Sequence, residues 1–228
     1  MIIKKGGYMC NSAGIEFVMR QLSCDDIANK KVIEVGSQNI NGSVRSYVEK
    51  CNPLCYVGVD VAEGQGVDEI CDINHLISRF GKESFDIVIC TEVLEHVQDW
   101  RNAIFNLKYI LKSNGILVLT TRSYGFPYHG YPFDFWRYEI DDMRMLFSDL
   151  EINSNESDPS APGVFIKATK PIWFSENSLE KYRLYSIIKH KNVRNITDFD
   201  LYLFKARTHV SRFLPIKLKE FLKKHIAL

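Results

Sequence analysis

From residue 31 onward, short β-branched runs alternate with amphipathic stretches. Residues 31–36 (KVIEVG), 56–61, a short run at 69–72 and 85–90 (FDIVIC) predict four strands, with helices expected over 43–49 and near 74–80. The run at 85–90 is almost continuously apolar, as a strand covered on both faces should be. Asp99 is placed to cap a helix through Leu111, and Ser113-Asn114-Gly115 to end it as a glycine C-cap would. Residues 116–121 read as a fifth strand. Such alternation implies α/β architecture: a parallel sheet with crossover helices on both faces.

After the fifth strand the pattern changes. Residues 124–138 (YGFPYHGYPFDFWRY) are dense in Gly, Pro and aromatic residues and read as a structured loop. A helix is expected over 139–147, then strands near 150–153 and 164–169 with a turn region at 157–163. Everything from about residue 178 reads as helical. Three parts follow: an N-terminal helical segment (1–29), a main domain (30–171) and a basic amphipathic helical extension (172–228).

The 228 residues carry a net charge of +1, yet the average hides a split. Residues 1–177 hold 17 Lys and Arg against 24 Asp and Glu, a net of −7, whereas residues 178–228 hold 12 against 4, a net of +8. A tail of opposite sign points to a separate task or partner. The apolar runs are too short to cross a bilayer, and the first residues lack the apolar core of a signal peptide. Six cysteines lie within the first 90 residues. Cys51 and Cys55 lack the further ligands of a metal site, and Cys71 and Cys90 fall in apolar runs as buried thiols, so a reducing cytoplasm is the expected setting.

In an open α/β sheet, ligands bind at the carboxyl ends of the strands, beside the first strand. Those ends carry Glu34-Val35-Gly36-Ser37, Asp60, Asp72 and Thr91-Glu92. The loop from Gly36 to Gly42 has two glycines six apart, unlike the G-x-G-x-x-G that cradles a pyrophosphate. The carboxylates point instead to a nucleoside: Asp60 can accept both ribose hydroxyls, and Asp72 can accept from an adenine amino group.

These residues resemble the class I S-adenosylmethionine-dependent methyltransferases, of the small-molecule kind called methyltransferase type 11. The likeness spans about residues 30–170 and rests on Val32-Ile33-Glu34-Val35-Gly36-Ser37, Val57-Gly58-Val59-Asp60, Cys71-Asp72-Ile73, the stretch from Phe85 through Thr91-Glu92-Val93-Leu94-Glu95-His96-Val97, and Leu111-Lys112-Ser113-Asn114-Gly115-Ile116-Leu117. The usual glycine-rich first loop is reduced, with Gln38 and Ile40 where later glycines would stand. The resemblance implies a Rossmann-like, seven-stranded, mostly parallel sheet and S-adenosylmethionine as cofactor. It implies that Glu34 and Gly36, with Ser37 and Gly42 in the same loop, shape the floor under the methionyl part. Asp60 would hold the ribose with Val61 beside the adenine, Asp72 and Ile73 would flank that ring, and Thr91 and Glu92 would stand at the mouth of strand four. His96 would either line the substrate side or satisfy local packing. No metal is implied.

Methyl transfer from a sulfonium is an in-line displacement, so the protein chiefly supplies alignment and a dry pocket. A hydroxyl acceptor also benefits from a general base. The aromatic loop is the expected pocket wall, or else a cap on the sheet. His129 is the candidate base, with Asp134 either orienting it or pairing with Arg137. The expected reaction is methylation of a small molecule, first a hydroxyl on a sugar, lipid-linked glycan or metabolite. Methylation of protein or RNA, or a non-catalytic scaffold with a cofactor fold, are the alternatives.

Residues 198–213 carry an apolar stripe of Phe199, Leu203, Ala206, Val210 and Phe213, spaced as on an amphipathic helix, and 216–226 set Leu218, Phe221, Leu222 and Ile226 against four lysines. Such a tail can pack on its own domain, join two copies, or lie on an anionic membrane from the cytoplasmic side. Nucleic acid is not the expected partner, since the main domain is acidic.

Overall fold

The computed structural model describes residues 12–40, 42–130 and 133–213, with side chains through 209. Its elements in chain order are α1 (Ser12–Gln21), α2 (Cys24–Ile27), β1 (Lys31–Val35), α3 (Arg45–Lys50), β2 (Cys55–Asp60), β3 (Glu69–Ile70), α4 (Leu76–Phe80), β4 (Phe85–Thr91), α5 (Trp100–Ile110), β5 (Leu111–Arg122), β6 (Trp136–Arg137), α6 (Ile140–Leu146), β7 (Glu151–Ser157), β8 (Gly163–Thr169), β9 (Leu184–Ser186), β10 (Lys191–Val193) and α7 (Asp198–Phe213). Seven strands form one sheet in the order β3-β2-β1-β4-β5-β8-β7. The first five strands run parallel, and β8 enters antiparallel between β5 and β7.

The period-two alternation of a strand explains both faces. On β4, Val88 and Cys90 join one core with Ile33 and Val35, under α4, α5 and α6; Ile87 and Ile89 join the other with Val32, under α1, α2 and α3. Asp99 caps α5 as expected, its side chain accepting from the Asn102 amide at 3.3 Å. The helix ends at Ile110 and the strand begins at once. Asn114, not Gly115, takes the left-handed turn (φ 60°). Gly115 is required for closeness instead, because a Cβ there would stand 2.7 Å from Leu111 Cδ1.

Three expectations change. Residues 178–197 are not helical: β9 and β10 form a hairpin, and β9 pairs antiparallel with β6 to make a second, three-stranded sheet. Burying Leu184 against the main core while pairing the backbone of Trp136 and Arg137 outweighs the local helical pattern. The packing face of α7 is Leu201 and Phe204, whereas Phe199, from the anticipated stripe, is 67% exposed. The helix is oriented by what it rests on: Phe204 stacks on Tyr128 at 5.3 Å, and Lys205 Nζ lies 4.6 Å from the Phe133 ring centre. The second apolar set, in 216–226, lies outside the described residues, as do Val210 and Phe213 of the stripe at side-chain level. Finally, Cys24 and Cys51 form a disulfide, brought together where α2 meets the end of α3. Bonds of this kind persist mainly in oxidising surroundings, against the reduced set expected from the count. Cys71 and Cys90 are free and buried as anticipated. No helix among the described residues is long and apolar enough to cross a membrane.

Candidate active site

A cavity of about 960 Å³ opens at the carboxyl ends of β1, β2 and β4, where the connections leaving β1 and β4 run to opposite sides of the sheet. Its floor is the turn after β1. Gly36 has φ +80°, and a Cβ there would stand 2.2 Å from Val93 Cγ2. Only glycine lets the first loop approach the mouth of β4 so closely. The amides of Gly36 and Ser37 both donate to Val59 O, at 2.9 and 3.1 Å. The Asp60 carboxylate then accepts from the Gln38 amide at 3.2 Å, which holds it at the cavity edge. Val61 and Ile40, 65% and 49% exposed, present apolar surface at the mouth. Asp72 lines the opposite lip and caps the short turn Ile73–His75 by accepting from the Asn74 amide at 2.8 Å.

The structure thus brings Gly36, Asp60, Val61, Asp72, Ile73, Thr91, Glu92 and His96 around one cavity. Glu34, Ser37 and Gly42 do not line it; they support it from behind. Glu34 is buried and accepts from the Tyr56 hydroxyl, and burial pushes its carboxyl up to about 8, with Arg45 opposing. Ser37 is buried beneath the loop. Gly42 (φ +130°) leaves room for Ile15, whose Cδ1 would lie 2.6 Å from a Cβ. Glu92 is the one lining residue with a left-handed backbone (φ 57°) and a buried charge. Its carboxylate accepts from Thr120 Oγ1 at 2.9 Å and pairs with Arg122; burial and Glu95 push its pKa up while Arg122 opposes them.

The far wall comes from elsewhere in the chain. The aromatic loop is sewn to the segment after β4: the Phe135 amide donates to Glu95 O at 2.7 Å, His96 Nδ1 to Phe133 O at 2.7 Å, and Trp136 Nε1 to Val97 O at 3.0 Å. Arg101 on α5 donates to Leu179 O, Tyr182 O and Arg194 O at 2.6–2.9 Å, which pins the C-terminal hairpin over the cavity. Asn195, Ile196 and Thr197 consequently join the lining. Sequence patterns gave no sign of these three or of Arg101, because nothing local marks a wall made by a distant crossing.

Asp134 makes both of the contacts left open: its Oδ2 stands 2.9 Å from His129 Nδ1, and Arg137 grips the carboxylate at 2.5 and 2.7 Å. Burial acts to raise the Asp134 pKa, but Arg137 and His129 prevail and hold it at about 2. His129 lies behind His96, ring centres 4.7 Å apart, and is not itself part of the cavity lining.

Comparison with known proteins agrees with this architecture. A family model described as "Methyltransferase domain" matches residues 14–181. The ubiquinone biosynthesis O-methyltransferase of Rickettsia canadensis is 23% identical over 128 residues, 49% of this chain and 51% of that protein; the chain spans about half or less of the length of the curated relatives it matches. An S-adenosylmethionine-dependent methyltransferase from Mesorhizobium loti superposes with a TM-score of 0.55 at 14% identity, covering 70% of this chain and 99% of that one. The 1,6-didemethyltoxoflavin-N1-methyltransferase of Burkholderia thailandensis, solved with bound 1,6-didemethyltoxoflavin and S-adenosylhomocysteine, gives 0.55 at 12% identity, covering 70% and 77%. With its motifs, sheet order and domain match in accord, the chain belongs to the methyltransferase domain family, in the S-adenosylmethionine-dependent class I fold.

Proposed function

We propose that this chain transfers a methyl group from S-adenosylmethionine to a hydroxyl of a small molecule. The carrying observation is the single cavity with two unlike walls, strand-end carboxylates on one side and the aromatic and C-terminal cover on the other. The first wall fits the cofactor. Gly36 leaves the clearance a close-lying ligand needs, Asp60 can accept from ribose hydroxyls, Val61 offers an apolar face to the adenine, and Asp72 with Ile73 borders that ring. When bound, S-adenosylmethionine supplies the activated methyl on its sulfonium.

The second wall suits the acceptor. Phe135 and Ile196 give apolar surface, while Gln98, Arg101, Asn195 and Thr197 offer polar contacts. These groups orient the acceptor and keep water out, which is the main catalytic demand of an in-line displacement. A cavity of this size is near the top of the roughly 300–1,000 Å³ typical of small-molecule sites, so cofactor and acceptor share it. Proton removal from the hydroxyl falls to the histidine side, where His96 lines the wall with His129 and Asp134 behind it. The Phe135 ring with Ile196 on the lining, and the O-methyltransferase relatives, favour a phenol-like or otherwise apolar hydroxyl over a sugar or glycan.

Calorimetry with S-adenosylhomocysteine, followed by labelled methyl transfer to a panel of catechols, phenols and monosaccharides, tests this. Binding of the sulfur compound and labelling of the aromatic hydroxyls are expected. Absence of binding by either S-adenosyl compound overturns the reaction; labelling confined to sugars overturns the acceptor class alone.

A further inference from the structure

Three side chains meet behind the cavity wall. Glu95, His96 and His129 each bring one possible ligand atom within 4.8 Å of the others, His129 Nε2 stands 3.8 Å from Glu95 Oε1, and Glu95 Oε1, His96 Nε2 and His129 Nε2 have no hydrogen-bond partner. The Glu95 side chain is fully buried and that of His129 is 8% exposed. Leaving such atoms unpaired in a protein interior forfeits the hydrogen bonds they would make with water.

The other atom of each group is committed in a way that fixes the state of the first. Phe133 O can only accept, so the His96 ring carries its proton on Nδ1 and turns a lone pair on Nε2 inward. The ionised Asp134, gripped by Arg137, stands with Oδ2 2.9 Å from His129 Nδ1 and by its charge favours the proton on that nitrogen, without an aligned hydrogen bond. Glu95 Oε2 accepts from Thr121 Oγ1 at 2.9 Å, which leaves Oε1 for the centre. Three acceptors therefore converge. A water has two protons and cannot satisfy all three; one added proton on His129 would pair Glu95 and leave His96. A cation takes all three lone pairs at once.

We infer that Glu95, His96 and His129 form a binding site for a divalent transition-metal ion of the zinc class. Two imidazoles and one carboxylate, with an open fourth position, are the donor set of zinc sites that also bind a substrate or water. The supporting contacts match: a metal-bound histidine commonly donates its second N–H to a carboxylate or backbone carbonyl, as His96 does to Phe133, while His129 Nδ1 stands 2.9 Å from the Asp134 carboxylate. His129 Nε2 and Glu95 Oε1 stand 3.8 Å apart. Bonds of about 2.0–2.1 Å would set tetrahedral donors roughly 3.4 Å apart, so binding draws them slightly together. The ion would clamp the aromatic loop to the segment after β4, and through His96 it would border the acceptor end of the cavity. His129 then acts as a ligand, since a metal ion and an abstracted proton compete for the same lone pair. The site stands on this geometry alone and does not rest on the proposed reaction; with the ion bound neither histidine keeps the lone pair that a general base needs, so the histidine-side proton removal belongs to the metal-free protein.

The test reads metal directly. Full-length protein stripped with EDTA is titrated with Co2+, followed by its visible ligand-field absorption, and with Zn2+ in competition with a chromophoric chelator. One ion per chain is expected, with Zn2+ raising the melting temperature, and with affinity reduced at least 100-fold in Glu95→Gln and in His129→Gln. S-adenosylhomocysteine affinity measured on the metal-free variants reports that they remain folded. Failure of the wild-type protein to take up either ion overturns the site whatever the variants do. Uptake that survives both substitutions in folded protein overturns it equally.

Discussion

The two walls of the cavity are built by opposite means. The cofactor wall is assembled from residues next to strand ends, each placed by its own strand: Gly36 after β1, Asp60 at the end of β2, Thr91 and Glu92 at the end of β4. The acceptor wall is assembled from pieces far apart in sequence, joined by Arg101 and by the hydrogen bonds of the aromatic loop. A wall made by the sheet is as rigid as the sheet. A wall made by crossings depends on a few buried polar links, and its residues can change without disturbing the frame. This division explains how one fold serves many acceptors.

The difference can be broken most severely at Asp134. Asp134→Asn leaves Arg137 buried beside a neutral partner, and removing one member of a buried pair costs about 3–5 kcal/mol. The melting temperature should fall sharply, with the aromatic loop the first segment to gain hydrogen exchange. Because the native pKa is depressed to about 2, the stability Asp134 contributes is present above its unfolded value near 3.8 and is lost as pH falls from there towards 2. The acid limb of the wild-type stability curve should flatten in the variant.

Glu34, under the cofactor wall, has the opposite sign. Its native pKa is raised to about 8, so its favourable contribution is complete below its unfolded value near 4.5 and is lost as pH rises through about 8. Relative to wild type, Glu34→Gln should gain stability across that interval, by up to about 5 kcal/mol at 1.4 kcal/mol per pKa unit. Denaturant unfolding at pH 5 and pH 8.5 measures it; parallel pH profiles for the two proteins would refute the buried neutral carboxyl.

Gly36→Ala strikes the cofactor wall directly. The added Cβ meets Val93 in a left-handed backbone, at a cost of about 2–3 kcal/mol, and S-adenosylhomocysteine binding should drop by tenfold or more. Arg101→Ala should do the least to the frame and sharpen the contrast. It frees the carbonyls of residues 179, 182 and 194, and should raise KM for the acceptor several-fold while S-adenosylhomocysteine affinity stays within about twofold. Equal loss of both would show that the walls are not separable.

Much of this was legible in advance, for local reasons. Strands read from apolar runs place their end residues automatically, so Asp60, Asp72, Thr91 and Glu92 converge once the strand order is known. The His129–Asp134 association was likewise foreseeable from five residues of spacing. The hairpin at 184–193 was not, because Leu184–Ser186 pairs not only with Lys191–Val193 but also with Trp136–Arg137 some fifty residues earlier. The face of α7 was misjudged for the same reason: Phe199 fits the helical stripe, but the rings of Tyr128 and Phe133 lie under Phe204 and Lys205.

By itself, then, the order of apolar and polar residues determined the sheet, its switch point and the carboxylates around it, since side-chain alternation and strand ends are properties of short segments. Only tertiary structure decided the rest. It brought Glu95, His96 and His129 within 4.8 Å of one another, joined Cys24 to Cys51, and closed the cavity with residues 195–197. Each of these depends on the relative placement of segments that share no local pattern, and that placement is set by which buried faces can cover one another.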